Sequence, residues 1–245
     1  MRWILRTFLV PFLALTSFAA SMAQATTNHC PSDPKQAFLE FVSLARAQGK
    51  ALKAYQEVET IDFEEDSQSV GTATTFLSFD WANGINYSDT RNMCGSNRTC
   101  NMTVNHILDE QQKFAKGGLS SIVKGGVDPF EISDQTYERQ NLGEYFDSSL
   151  GRRVFHFGLK SKSDHTGYFN GELMIDSSTC QILKIRGIPL GIPGVLKAFL
   201  KPLEFESRYE NFDGFSFITS TRSKWKVLLG PQLDINLSFD HIAHN

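Results

Sequence analysis

Apolar and polar residues alternate through most of the last hundred positions of the chain. Leu203, Phe205 and Tyr209 alternate with Glu204, Glu206, Arg208 and Glu210, and Leu233, Ile235, Leu237 and Phe239 alternate with Asp234, Asn236, Ser238 and Asp240. A period of two puts successive side chains on opposite faces, so each run reads as a strand with one dry and one wet face. The same pattern predicts strands near Glu138 to Phe146, Arg152 to Lys160, Tyr168 to Ile175, Gln181 to Arg186, Leu203 to Asn211, Phe215 to Lys226 and Gln232 to Ile242. Turn residues separate them at Ser149-Leu150-Gly151, Asp176-Ser177-Ser178-Thr179 and Asp213-Gly214. Such a succession specifies an antiparallel sheet covering something apolar on one side.

The first half is more varied. Ser32-Asp33-Pro34 predicts a helix start, with Phe38, Phe41, Val42, Ala45 and Leu52 on one side and Gly49 as the stop. Tyr55 to Phe63 alternates loosely, Glu64-Glu65-Asp66-Ser67 reads as a solvated turn, and Val70 to Trp81 forms a second strand ending at the hairpin signal Asn83-Gly84. A second helix is expected from Thr103, with Val104, Ile107, Leu108 and Ala115 on one side and Gly117-Gly118 at its end. Residues 120–135 carry no clear pattern.

The beginning of the chain changes the picture. Arg2 and Arg6 precede an apolar run from Phe8 to Ala20, and Ala23-Gln24-Ala25 has the small-x-small form of a cleavage site. Residues 1–25 therefore read as a secretory signal peptide, leaving 26–245 as a single soluble domain. The apolar run is short of the ~20 residues that span a bilayer. Losing those 25 residues removes two arginines and no acid, so 22 basic and 27 acidic side chains remain and the formal charge moves from −3 to −5. That balance argues against nucleic acid as a partner.

Export also allows the four cysteines to pair. Cys94 and Cys100 flank a short polar loop and are expected to bond to each other, which leaves Cys30 with Cys180; the sequence also admits the other two pairings. No CxxC pair suggests a metal, and there is no GxSxG, HExxH or phosphate loop. His241 and His244 on a regular terminal strand would face opposite ways, so no joint site is expected from them. Neither a catalytic residue, a metal nor a cofactor is anticipated.

Several stretches together resemble the Lol-type lipoprotein carriers and the wider group of outer-membrane lipoprotein-sorting proteins. They are Gly143-Glu144 through Gly151-Arg152-Arg153-Val154-Phe155, Gly171 to Asp176, Ile185-Arg186-Gly187-Ile188-Pro189, and Tyr209 with Asp213-Gly214-Phe215. The resemblance implies an α+β fold, mainly antiparallel β: an incomplete, curved half-barrel covered by helices, periplasmic and non-enzymatic, that carries a lipid, a lipoprotein acyl chain or another hydrophobic ligand. The chain departs from the family pattern in having no arginine between Tyr55 and Trp81, where the carriers have one that holds the lid.

With that fold, the inward residues become candidates for the cavity wall: Phe155, Phe157, Leu173, Ile175, Phe205, Phe215, Phe217, Trp225, Leu233, Ile235, Leu237 and Phe239, with Leu159, Leu183 and Ile185 on the same faces. The segment Gly187 to Pro202 is too rich in glycine and proline for a regular strand and reads as a lip carrying Ile188, Leu190, Ile192, Leu196 and Phe199, able to touch a membrane surface or an envelope protein. The alternative is an envelope interaction or sensor module whose half-barrel is filled by its own side chains and which binds another protein.

Overall fold

The computed structural model describes residues 29–80, 84–97, 132–164, 168–190, 200–228 and 230–244, with Cys100, Asn101 and Asn105. The signal peptide, and all of the helix expected from Thr103 except Asn105, which is helical, lie outside the described residues.

Helix α1 spans Pro34–Ala51. Asp33 caps it, its Oδ1 accepting from the Gln36 N–H at 2.9 Å, and Pro34 occupies the first turn, where no amide donor is needed. The helix runs past Gly49 and closes with the Leu52 N–H donating to Gln48 O. Gly49 is not in a left-handed conformation, so it does not act as the expected stop. Phe38, Phe41, Val42 and Ala45 form the buried stripe.

Among the described residues ten strands follow: β1 Ala54–Glu65, β2 Gln68–Asp80, β3 Gly84–Asn92, β4 Tyr137–Asp147, β5 Arg152–Ser161, β6 Phe169–Asp176, β7 Ile182–Pro189, β8 Leu200–Phe212, β9 Phe215–Val227 and β10 Gln232–His244. They form one antiparallel sheet in the order β3-β2-β1-β10-β9-β8-β7-β6-β5-β4, whose ends β3 and β4 do not pair. The result is an incomplete barrel: β4 to β10 form a meander, and β10 returns to lie beside β1.

Register carries one inner row through eight strands, Ala73, Ile61, Leu237, Thr221, Ser207, Ile185, Leu173 and Phe157, all of them buried. The opposite face carries a polar row across the strands, Asp62 and Asn236 followed by the charges Arg222, Glu206, Arg186 and Glu172. Alternating signs directly opposite one another support the pairing.

Three expectations are corrected. The segment from Gly187 is partly strand: β7 extends to Pro189, and β8 begins at Leu200. Gly187 pairs with Gly171, and a Cβ on either would collide with the facing backbone, so glycine permits the pairing here and leaves room for the Phe169 ring. Leu183 belongs to a small outer cluster with Val154 and Met174, because a register shift where Met174 faces Lys184 and Ile175 faces Ile182 makes it the extra residue. His241 and His244 do not diverge. The pairing shifts between Glu57↔His241 and Gln56↔Ala243, leaving Ile242 as the extra residue, and the two imidazoles meet with Nε2 to Nδ1 at 2.8 Å.

Candidate functional site

The inner face divides into three regions. Under α1, Phe38 and Phe41 pack with Phe155, Phe157, Leu173, Ile175, Ile185, Phe205 and Tyr209. The Phe38 and Phe157 rings meet edge to face at 5.4 Å, and the Arg139 guanidinium covers the Phe38 ring at 4.5 Å from its centre. The gap between α1, β7 and β9 is about 10 Å³, about the room a single water needs. Five of the sequence-derived wall residues, Phe155, Phe157, Leu173, Ile175 and Phe205, lie here.

The second region spans β1, β2, β9 and β10. Ile61, Phe63, Ala73, Leu233, Leu237 and Phe239 are buried, while Val70, Ile218, Trp225, Val227 and Ile235 are only partly so. The Cys94–Cys100 disulfide packs against this cluster, so close to β2 that a Cβ on Gly71 would fall 2.5 Å from Cys100 Sγ. Asn97 Oδ1 accepts from the Cys100 N–H at 2.9 Å and shapes the loop. The second disulfide, Cys30–Cys180, fastens the segment just before α1 to the turn after β6.

The third region is a corner where Leu52, Tyr55, Leu77, Phe79 and Phe217 meet Phe212, Phe215 and Tyr87. His241 stacks on Phe217 at 4.2 Å between ring centres. Among the lip residues, Ile188 is exposed and Leu190 half-buried; Ile192, Leu196 and Phe199 lie outside the described residues.

Polar groups interrupt the apolar wall, and the sequence reading missed them. Glu57 and Glu59 are fully buried on the inner side of β1, in phase with Tyr55, Ile61 and Phe63. Their odd-numbered positions were the available signal. Burial, then Tyr87 and Glu59, push the Tyr55 hydroxyl pKa up; burial and Glu59 do the same to Tyr87. Thr75 and Thr90 meet at 2.8 Å, and Ser207 and Thr221 at 2.9 Å, so these inner hydroxyls are hydrogen-bonded.

The outer face also holds a depression of about 310 Å³ lined by Asp62, Glu206, Arg208, Ser220, Arg222, Asn236 and Ser238. Its charges balance, and Arg208 and Arg222 are already bound to Glu206 and Asp234. Among the described residues no group of His, Cys, Asp and Glu side chains is arranged to hold a metal ion, and no helix is long and apolar enough to cross a membrane.

No family model and no curated protein matches the chain. Solved structures of the LolA superfamily are among those it is similar to. One, from Nitrosomonas europaea, is 12% identical over 84% of this chain and 93% of that one, with a TM-score of 0.36. A domain described as an outer membrane lipoprotein-sorting protein, from Vibrio parahaemolyticus, is 11% identical over 82% and 91%, with a TM-score of 0.37. MucB, solved in complex with MucA(peri), is 10% identical over 82% and 92%, with a TM-score of 0.23. At such scores the superpositions add nothing to the strand order and burial seen in this chain.

Proposed function

We propose that the protein is an exported, non-catalytic binder of an apolar ligand, a lipid or a lipoprotein acyl chain, held by the inner face over β1, β2, β9 and β10. The observation behind this is the uneven cover of that face. Residues packed beneath α1 serve as core, whereas Trp225, Val227 and Ile235 stay only partly buried in an apolar cluster beside the buried Glu57 and Glu59. An apolar wall with open area at its rim is where a hydrophobic ligand gains most from leaving water. Leu233, Leu237 and Phe239 form its floor; Phe215 and Phe217 belong to the corner. The leader-like first 25 residues and the two disulfides support an oxidising compartment, the periplasm.

A second reading has its own observation. α1 fills the β5 to β8 side with Phe38 and Phe41, as a self-filled module that binds another protein would require.

Titration with a fluorescent fatty acid separates them. Ile235→Lys should weaken uptake at least tenfold, because an unpaired charge in that wall is costly, while Ser238→Lys on the outer face should leave it unchanged. Thermal unfolding of both variants checks the fold. A wild-type protein that takes up no apolar probe leaves only the second reading.

A further inference from the structure

The sheet splits at one end. Among the described residues the β9–β10 ladder runs from Gln232↔Lys226 to Ser238↔Ser220 and stops, although both strands continue. Past that point β9 stays with β8 to the turn, where Phe212 faces Phe215, while β10 stays with β1 as far as His244. A bulge marks the parting: Arg208 faces Ser220 and Tyr209 faces Ile218, which leaves Thr219 as the extra residue and bends β9 away. Ladder bonds are what close neighbouring strands, so this seam needs another closure.

Rings supply it. His241 stacks on Phe217 at 4.2 Å and lies 4.9 Å from Phe212; His244 lies 5.0 Å from Phe215 and 5.4 Å from Phe217. All four contacts cross from β10 to the β8–β9 tip. The tip itself is fastened elsewhere, because the Gln48 side chain of α1 donates to Gly214 O at 2.5 Å and accepts from the Ser216 N–H at 3.4 Å. The imidazoles hold each other, Nε2 of His241 to Nδ1 of His244 at 2.8 Å. That bond needs a proton on one of the two nitrogens and a lone pair on the other. One extra proton can settle on the outer nitrogen of the donating ring and leave the bond standing. The next must take the accepting nitrogen, which ends the bond and sets two cations side by side.

Several titratable groups surround the pair among the described residues. Glu57 and Tyr55 stand opposite His241 and His244 on β1, with Glu59 and, from β3, Tyr87 beside them. Asp80 ends β2, Asp240 lies on the other face of β10, and Glu210 and Asp213 on the tip and Lys50 and Lys53 at the end of α1 are exposed. The acids favour the first positive charge, but none of them restores the bond once the accepting nitrogen is protonated. We propose that the seam between β9 and β10 is a proton-operated gate into the barrel, shut while at most one of His241 and His244 is charged. When both are charged, the end of β10 leaves the fastened tip and uncovers the corner of Tyr55, Leu77, Phe79 and Phe217. Histidine changes charge between about pH 5 and pH 8, and the bond is lost as protons are added, so the gate opens on acidification. The inference holds whether or not the inner face takes an apolar ligand.

The test uses the full exported protein and proton NMR. Contacts of the His241 and His244 rings with Phe217 and Phe215 are expected at about pH 7.5 and lost by about pH 5, while the Phe38–Phe157 contact beneath α1 persists. Relaxation of the Phe217 ring, 6% exposed in the closed state, by a soluble gadolinium chelate should rise at least threefold over the same range. His244→Gln offers an oxygen that accepts from His241 and takes no proton, so Phe217 should stay shielded and in contact with His241 at both pH values. His241→Gln should likewise preserve the contact of His244 with Phe217. Wild-type seam contacts that survive at the lower pH overturn the proposal, as does their loss in wild type and both glutamine variants alike. So does simultaneous loss of the Phe38–Phe157 contact, which would mean global unfolding. Uptake of the fatty-acid probe, read in the same samples, reports on the inner face separately.

Discussion

Asp176, at the end of β6, shows how much one side chain organises. Its Oδ1 accepts from the Ser178 N–H at 2.7 Å, the Ser178 hydroxyl and the Thr179 N–H, and its Oδ2 meets Arg152. Burial alone would raise its carboxyl pKa, but the bonds from Ser178, Thr179 and Arg152 outweigh it and hold the group below its ordinary value. A carboxyl depressed in the fold contributes stability above its unfolded pKa, and that contribution is lost as pH falls through the folded one. Asp176→Asn should therefore be less stable than wild type at pH 6, with the gap closing toward pH 3 in denaturant titrations. The turn around it was legible from Asp176-Ser177-Ser178-Thr179. Its second duty was not: Ser178 O accepts from the Cys30 N–H, 148 positions away, and Cys180 sits at φ 58° beside it.

Among the elements, α1 has the clearest energetic role. Its cap and proline start were readable, because those signals are local, and so was its stripe of Phe38, Phe41, Val42 and Ala45. Phe38→Ala should cost about 3–5 kcal/mol in denaturant unfolding, since it removes a fully buried ring that contacts Phe157 and carries the Arg139 guanidinium. Strand ends were less readable than strand middles. A period-two pattern carries no mark of one inserted residue, so the irregularity at Ile242 that joins His241 to His244, and the one that turns Leu183 outward, escaped it. The same limit explains Gly187 and Pro189: each argues against a strand by itself, yet Gly171 across the pair makes the close approach workable.

For the whole molecule, the two disulfides should differ in weight. Cys30 and Cys180 are 150 residues apart and Cys94 and Cys100 only 6, so loop-closure entropy assigns them roughly 5 and roughly 2 kcal/mol. Replacing Cys30 and Cys180 by alanine should lower the unfolding midpoint in denaturant more than replacing Cys94 and Cys100; the reverse order would mean that the short loop acts through its contacts with β2. By itself the sequence determined the number of the meander strands and their phase away from the irregularities at Leu183 and Ile242, the start of α1 and the outward charged positions, because alternation, capping and turn chemistry act between near neighbours. Only the tertiary structure decided that β10 closes against β1, that α1 fills one side of the inner face while Trp225 and Ile235 stay partly buried, and that Glu57 and Glu59 are buried. Those outcomes depend on which distant surfaces meet, and a local pattern shows that a face is apolar without showing what covers it.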